Sequence, residues 1–467
     1  MILILTKSST KKKIKFLKFI KNILKEIKKY NFNLNIIETE IFNLRHDKSN
    51  YIERIIILEH LNESILPKQL IKKVYTDDIH FSNLIKTNYP KIEIELVDNK
   101  APRVYIHPLL SLTNYFIKIF IIVSFFKINN KKKDIKQNTY NIILYPHFFK
   151  NYKCSLYKNS FLNLNILIGD ETQSNFNLKE LIIKQKEIND SKNIFPIEKK
   201  ITYLNLLKIF INNLKEYFKL RSFIKNDILY GNLNISWLLK KQFVLSFLNR
   251  LKLNYYNDAI KEIIDNKTKN INYYMFEYSF GFYVSNILRS ISKKIFTIGY
   301  QHGIFTKNLM WMDVIEKKNQ FNYLPNLIIS NQKISIEGYS KFLSKNKIKY
   351  KKKTSPEVFK FRKLSSYNSK NILIILGLHD FKDNIKSSIK LSKKKEFENC
   401  KFFLKFHPKL KIRNLEKLPD NFKIIKKIPK KKKFQIFISQ SSSLLYKLIE
   451  ANIYCKKLEY RNKINIL

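Results

Sequence analysis

Two apolar runs toward the C-terminal end, each cut off by a polar group, restrict this chain more than any other stretch. They read CKFFLKFHP from Cys400 and FQIFISQSSSLLYKLIEAN from Phe434. Short runs of aromatic and β-branched residues that stop abruptly are buried strands that deliver a side chain to the rim of a sheet. In the first, Phe402 to Phe406 end at His407 and Pro408. Proline has no N–H to continue the ladder, so His407 is expected at the strand's carboxyl end. In the second, Ile436 to Ile438 end at Ser439, and Ser441, Ser442 and Ser443 precede a helical repeat at Leu444, Leu445, Leu448 and Ile449. Serine is a favoured N-cap, and a helix N-terminus offers unpaired N–H groups and partial positive charge, which together seat a phosphate. Ligands of open α/β sheets bind outside the carboxyl ends of the strands, so an imidazole and a capped helix arriving there describe a site for a phosphorylated ligand. Each element alone has a plainer reading, as a loop dipeptide or a simple cap. The HP dipeptide recurs at His107 and Pro108.

The rest of the chain supplies the frame. At 467 residues it can hold two or three domains with real cores. Its net charge of +52 would ordinarily announce nucleic acid or an anionic membrane. Lysine runs at 11–13, 131–133, 351–353, 393–395 and 430–433 are spread along the whole length, however, with no helix-turn-helix, finger or RNP signature to aim them. Nucleic acid is therefore not expected as a partner, while peripheral contact with anionic lipid is a plausible by-product of the charge. Cys154, Cys400 and Cys455 lie far apart without metal-ligand spacing, which fits a reducing compartment. The opening MILILTKSSTKKK inverts the order of a signal peptide and reads as a first strand, so a cytoplasmic location is expected, peripheral on the inner face of the plasma membrane at most. The stretch Leu109 to Phe126 is apolar but carries Asn114 and Lys118, leaving a buried or interfacial helix and a membrane span as its two readings.

Residues 1 to about 108 alternate short apolar runs with lysine-rich helical segments, an α/β rhythm that restarts at YNIILYPHF. From about Leu178 to Leu253 the pattern predicts several amphipathic helices, with Trp237, Phe243 and Phe247 on their apolar faces. The chain has seven glycines, and Gly299 and Gly303 flank Gln301 and His302, predicting a tight turn after the strand KIFTIGY that presents His302. The strand NLIIS follows, then a polar stretch taken as a hinge, then NILIILGL opens a fresh α/β unit. The expected fold class is α/β, with two Rossmann-like domains facing a cleft: an N-terminal domain over 1–330 with a helical insertion, a linker over 331–368, and a nucleotide-binding domain over 369–467.

An HG turn in the first domain, an HP at a strand end in the second and a serine cluster after the next long strand resemble a set shared by surface-polysaccharide enzymes of the GT-B glycosyltransferase architecture. Bacterial sialyltransferases and polysialyltransferases carry the HP and Ser/Thr elements, and CDP-glycerol glycerophosphotransferases carry HG, HP and SS. The run FEYSFGFYVSNILRS, KIFTIGYQHG and LPNLIIS resembles uncharacterised surface-carbohydrate biosynthesis proteins. The likeness covers about Tyr273 to Asn452, less than half the chain.

This resemblance implies a metal-independent, inverting glycosyltransferase with no cofactor beyond a nucleotide-sugar co-substrate and with a lipopolysaccharide or capsule precursor as acceptor. His407 with Pro408 would meet the donor phosphate and supply charge or a proton to the departing nucleotide. Ser441, Ser442 and Ser443 would hold the same phosphate. His302 would be the base on the acceptor hydroxyl, with Glu277 as the other candidate for that role or for binding the acceptor. The acidic D/E-D/E-G element of the sialyltransferases is absent, since GDE at 169–171 runs in another order, and no DxD-type metal element is evident. The sequence stops soon after IYCKKLEY, where this architecture usually adds sheet and a closing helix, so a truncated or inactive C-terminal domain belongs to the expectations. Two rivals stand beside the glycosyltransferase: a polyol-phosphate transferase of the CDP-glycerol type, and a basic binding protein without chemistry.

Overall fold

The computed structural model describes residues 73–76, 79–96, 108–129, 139–143, 164–167, 178–190, 194–264, 268–275, 279–291, 294–301, 321–350, 356–377, 381–407, 418–439 and 442–458, with short pieces at 305, 312 and 315–316. Cα packing divides the described residues into two units, the second taking Phe305 and the residues from Ile329 onward. Each is described by itself.

The described chain opens with a βαβ unit, β1 (Lys73–Thr76), α1 (Ile79–Asn88) and β2 (Glu93–Leu96), whose strands pair parallel. Helix α2 (Pro108–Asn129) follows, with proline at its first position, where the missing N–H costs nothing. Then come β3 (Thr139–Ile143), β4 (Leu164–Leu167), α3 (Leu178–Asp190) and β5 (Ile194–Pro196). Helix α4 (Tyr203–Lys225) is capped by Thr202, whose Oγ1 accepts from Asn205 N at 3.1 Å. A two-strand hairpin, β6 (Leu229–Tyr230) and β7 (Leu233–Asn234), leads into the long helix α5 (Ser236–Ile263). Phe243 and Phe247 of α5 are buried, as their helical spacing predicts.

The chain then returns to the sheet through β8 (Asn270–Met275), α6 (Ser279–Ile291), β9 (Phe296–Gln301), β10 (Leu327–Ser330), α7 (Lys333–Tyr339) and β11 (Ile348–Tyr350). The seven strands run in the order β11-β10-β9-β8-β3-β4-β5. Counted from β3, that is 3-2-1-4-5-6-7, the order of a doubly wound dinucleotide-type sheet with its direction reversing between β3 and β8. The pairs β3–β4, β4–β5, β3–β8 and β8–β9 are parallel.

The edge strand of this sheet is β11, beside β10. The stretch 331–368, read from sequence as a linker, thus holds α7, the edge strand β11 and a further helix α8 (Pro356–Leu364). Its buried apolar residues, Tyr339, Leu343, Ile348, Phe361 and Leu364, are spread too thinly among lysines to show a period.

In the second unit, β12 (Asn371–Ile375), α9 (Phe381–Ser392), β13 (Lys401–Lys405), β14 (Phe422–Ile425), β15 (Gln435–Ile438), α10 (Ser443–Glu450) and β16 (Lys456–Lys457) build a five-stranded sheet of order β14-β13-β12-β15-β16. Every pair is parallel, and counted from β12 the order is 3-2-1-4-5. Alternation along the strands feeds two cores. Leu373, Phe403, Ile436 and Ile438 pack with Phe361, Leu364, Leu445 and Leu448 of α8 and α10. Ile372, Ile374, Phe402, Leu404 and Phe437 pack on the opposite face with Ile385 of α9 and Phe397. Burial on both faces is why these strands read as unbroken apolar runs. The fold is α/β with parallel, doubly wound sheets.

Candidate functional site

The carboxyl rim of the second sheet carries His407 and the Ser442-capped helix, two of the groups singled out in the sequence. Backbone bonds continue past the strands, with Leu376 N donating to Lys405 O at 3.0 Å and Ser439 N to Ile375 O at 2.9 Å. These bonds level the rim, so His407 and Ser439 leave the sheet on either side of β12. His407 follows β13 by two residues and is half-buried. Ser439 is fully buried.

These two strand ends are not neighbours in the sheet. Strand β12 lies between β13 and β15, so the imidazole and the serines are separated by two strand spacings, roughly 10 Å. Sequence order could not show this, because the chain reaches β13 only after β12 has taken the centre. The reversal of direction falls between β12 and β15, the position where open α/β sheets bind ligands. Beside that position the chain turns out of β12 at Leu376 and Gly377, both buried. This turn was missed as a site element, although the sequence NILIILGL carries a glycine at the end of a first strand, the signal that could have marked it.

On the β15 side of that position lies the start of α10. Ser442 is its N-cap, with φ −85° and ψ 126°, and its Oγ accepts from Leu444 N at 3.3 Å. Ser442 N in turn donates to Ser439 O at 3.0 Å, closing a tight link from strand to helix. Ser443 is already the first helical residue, one place earlier than the leucine repeat suggested. The first turn of α10 has no acidic side chain, which leaves the positive end of the helix without a carboxylate. Lys405 is half-buried on β13, its Nζ donating to Phe406 O at 2.9 Å. Pro408 and Ser441 lie outside the described residues.

In the first sheet, Glu277 and His302 also lie outside the described residues. Glu277 follows Met275, the end of β8, by two residues, and His302 follows Gln301, the end of β9, by one. Those two strand ends are paired, Met275 opposite Gln301. Gly299 sits inside β9, within the strand KIFTIGY read from the sequence, and a Cβ there would come within 2.6 Å of Pro325 Cγ and 3.2 Å of Met275 Cβ. Close approach of this kind is one reason a glycine is kept. The turn predicted after the strand, at 302–303, lies outside the described residues.

Behind β8, the Tyr273 hydroxyl shares a 2.6 Å hydrogen bond with Ser285 Oγ, and burial raises the phenol's pKa well above the usual range. It serves as a structural group there. Among the described residues no group of three or more His, Cys, Asp or Glu is placed to hold a metal ion. Among them, too, Cys400 and Cys455 are free thiols. A cavity of about 650 Å³ in the second unit lies between α9 and β15–β16, lined by Lys390, Lys394, Phe397, Phe437 and Lys456, and among the described residues neither His407 nor Ser442 faces it.

No family model matches this chain, and no curated protein is similar to it. Among solved structures, it is similar to one described as the "Glycotransferase of kitacinnamycin", at 6% identity and a TM-score of 0.33, over 69% of this chain and 85% of that one. A likeness at that score carries no argument, and the functional reading rests on the rim of the second sheet.

Proposed function

We propose that this protein is a glycosyltransferase that moves a sugar from a nucleotide-sugar donor to a cell-surface glycan precursor, with two Rossmann-like domains facing a cleft. One observation carries the reading: at the carboxyl rim of a 3-2-1-4-5 sheet, His407 and the Ser442-capped helix flank the central strand on its two sides. Fold alone would not suffice, because doubly wound sheets host many activities.

The residue types match what glycosyl transfer needs. As the sugar–phosphate bond breaks, negative charge grows on the departing nucleotide. The N–H groups of α10, the Ser442 hydroxyl and the His407 imidazole are the groups that would stabilise that charge or protonate it. In this reading a base, His302 or Glu277, removes the acceptor hydroxyl's proton, and the sugar inverts as the acceptor oxygen attacks.

The test is nucleotide binding to the full chain. CMP, CDP, UDP and GDP, and their sugar and glycerol adducts, are screened by thermal shift. At about 100-fold excess over Kd, one of them should stabilise the protein by about 2.7 kcal/mol, a shift of several degrees. His407→Ala should lose that shift. If no nucleotide stabilises the chain, the transferase reading fails; if only CDP-glycerol does, the group transferred is a polyol phosphate.

A further inference from the structure

Helices α2 and α4 lie side by side in the first unit, with the Phe116 ring stacked on Phe210 at 4.3 Å and Phe120 against Tyr203 at 5.4 Å. Each buries one face only. On α2 the inward row includes Leu112, Ile119 and Val123, and Tyr115 meets the Tyr255 ring of α5 at 5.9 Å. The outward row is apolar too. Ile117, Phe120 and Ile121 are 52%, 44% and 39% exposed, and Leu204, Leu207 and Ile211 of α4 are 76%, 51% and 44% exposed. The two ring pairs join these rows into one continuous patch. Single exposed apolar residues are ordinary, but a contiguous patch of this kind marks an interaction surface.

Charge identifies what it meets. At about 100° per residue, Lys208 and Lys215 fall directly beside the Leu204, Leu207 and Ile211 row, and both are exposed. On the α2 side, Lys127 Nζ lies 5.5 Å over the Tyr203 ring. Helix α2 contains no Asp or Glu, and α4 contains only Glu216, which is paired with Lys219 at 2.8 Å. An apolar row edged by lysine stems suits the headgroup boundary of a bilayer, where apolar side chains enter the acyl edge and ammonium groups meet lipid phosphates.

We propose that the α2–α4 face docks flat on a bilayer containing anionic lipid. This goes beyond the reading of the second sheet and does not depend on it. Helix α2 is long and apolar enough to cross a membrane. Its inner face is nonetheless packed on α5, so it lies in the interface with only its outer row in lipid.

The experiment must separate this patch from the general pull of a +52 chain on anionic vesicles. Full-length protein is floated with vesicles of phosphatidylcholine alone and with about 30% phosphatidylglycerol added. The triple variant Leu204→Ser, Leu207→Ser, Ile211→Ser keeps the charge and should bind the anionic vesicles at least about tenfold more weakly. A control pair at exposed sites of the second unit, Phe359→Ser with Ile424→Ser, should bind as the unmodified chain does. In a Leu207→Trp variant the new indole's emission should shift to the blue on the same vesicles. Unchanged vesicle binding by the triple variant overturns the proposal. So does a concentration-dependent dimer that the triple variant abolishes without altering vesicle binding, which would assign the face to a second copy of the chain.

Discussion

Asn272 Nδ2 donates to Asn141 Oδ1 at 2.9 Å, and the two residues stand in register across β8 and β3. Both are buried, and they sit where the strand order of the first sheet reverses. A slip of one residue would carry either amide to the opposite face and leave it without the other, so the pair fixes the register of strands far apart in sequence. Asn272→Ala is expected to cost about 1–3 kcal/mol, the penalty for stranding a buried polar group. Urea unfolding of both single alanine variants and the double variant should show coupling, the double costing less than the sum. Simple additivity would remove the pair from this role.

Two glycines are held for different reasons and should respond differently. Gly299→Ala pushes a methyl into Pro325 and Met275, and overpacking of this kind costs about 1–3 kcal/mol. Gly231, in the β6–β7 turn, has φ +58° and open space around it, so alanine there meets backbone strain of about 1–2 kcal/mol and no clash. Gly231→Asn should recover most of the loss, because asparagine tolerates that conformation, whereas Gly299→Asn should be worse than Gly299→Ala. Thermal melts of the four variants decide between the two explanations.

Ser442→Ala removes the cap of α10. With its Oγ 3.3 Å from Leu444 N, the loss should fall near the lower end of the usual range, about 0.5–1 kcal/mol. Nucleotide affinity should fall by more than this loss of stability accounts for, since the same hydroxyl faces the proposed phosphate. Equal effects on stability and affinity would make Ser442 a cap and nothing else.

His407→Ala and His302→Ala are each expected to abolish sugar transfer, a loss on the order of 10²–10⁴-fold, while leaving the fold intact by circular dichroism. His407 is half-buried at a strand end, so its removal opens no large cavity. Transfer is measured with whichever nucleotide-sugar the binding screen selects. Full activity in both variants would withdraw their catalytic roles.

Alkaline pH should weaken the fold before any specific site fails. Burial pushes the Cys455 thiol up to about 11 and the Tyr446 phenol up to about 12, and raises the Cys400 thiol as well. In the unfolded chain these groups ionise near their ordinary values, so above about pH 9 the unfolded state releases protons that the native state retains. The stabilisation is fully present below that pH and is lost as pH rises toward 11 and 12. Denaturant midpoints taken from pH 8 to 11 should fall progressively, and alkylation of Cys455 at pH 8 should be slow. A midpoint that stays flat above pH 9 would contradict the burial of these groups.

Part of the candidate site's framework is legible in the sequence alone. The stops after Phe406 and Ile438 marked two carboxyl strand ends, because proline and a serine cap are local signals that need no tertiary partner. The helices expected over about 178–253 followed from spacing in the same way, the last running on to Ile263. The structure inside 331–368 did not, because the burial of Tyr339 and Ile348 depends on surfaces contributed from elsewhere in the chain. Nor did the role of Gly377, whose meaning comes from β12 occupying the middle of its sheet.

By itself, the order of amino acids determined the α/β class and the polar groups that end its strands, since both rest on interactions within a few residues. Only the tertiary structure decided that both sheets wind outward from a central first strand, that β12 separates His407 from the serines, and that Asn141 meets Asn272. Parallel strands are joined by long crossovers, and which of them become neighbours is settled by packing on both faces of the sheet, a quantity that no local stretch of sequence contains.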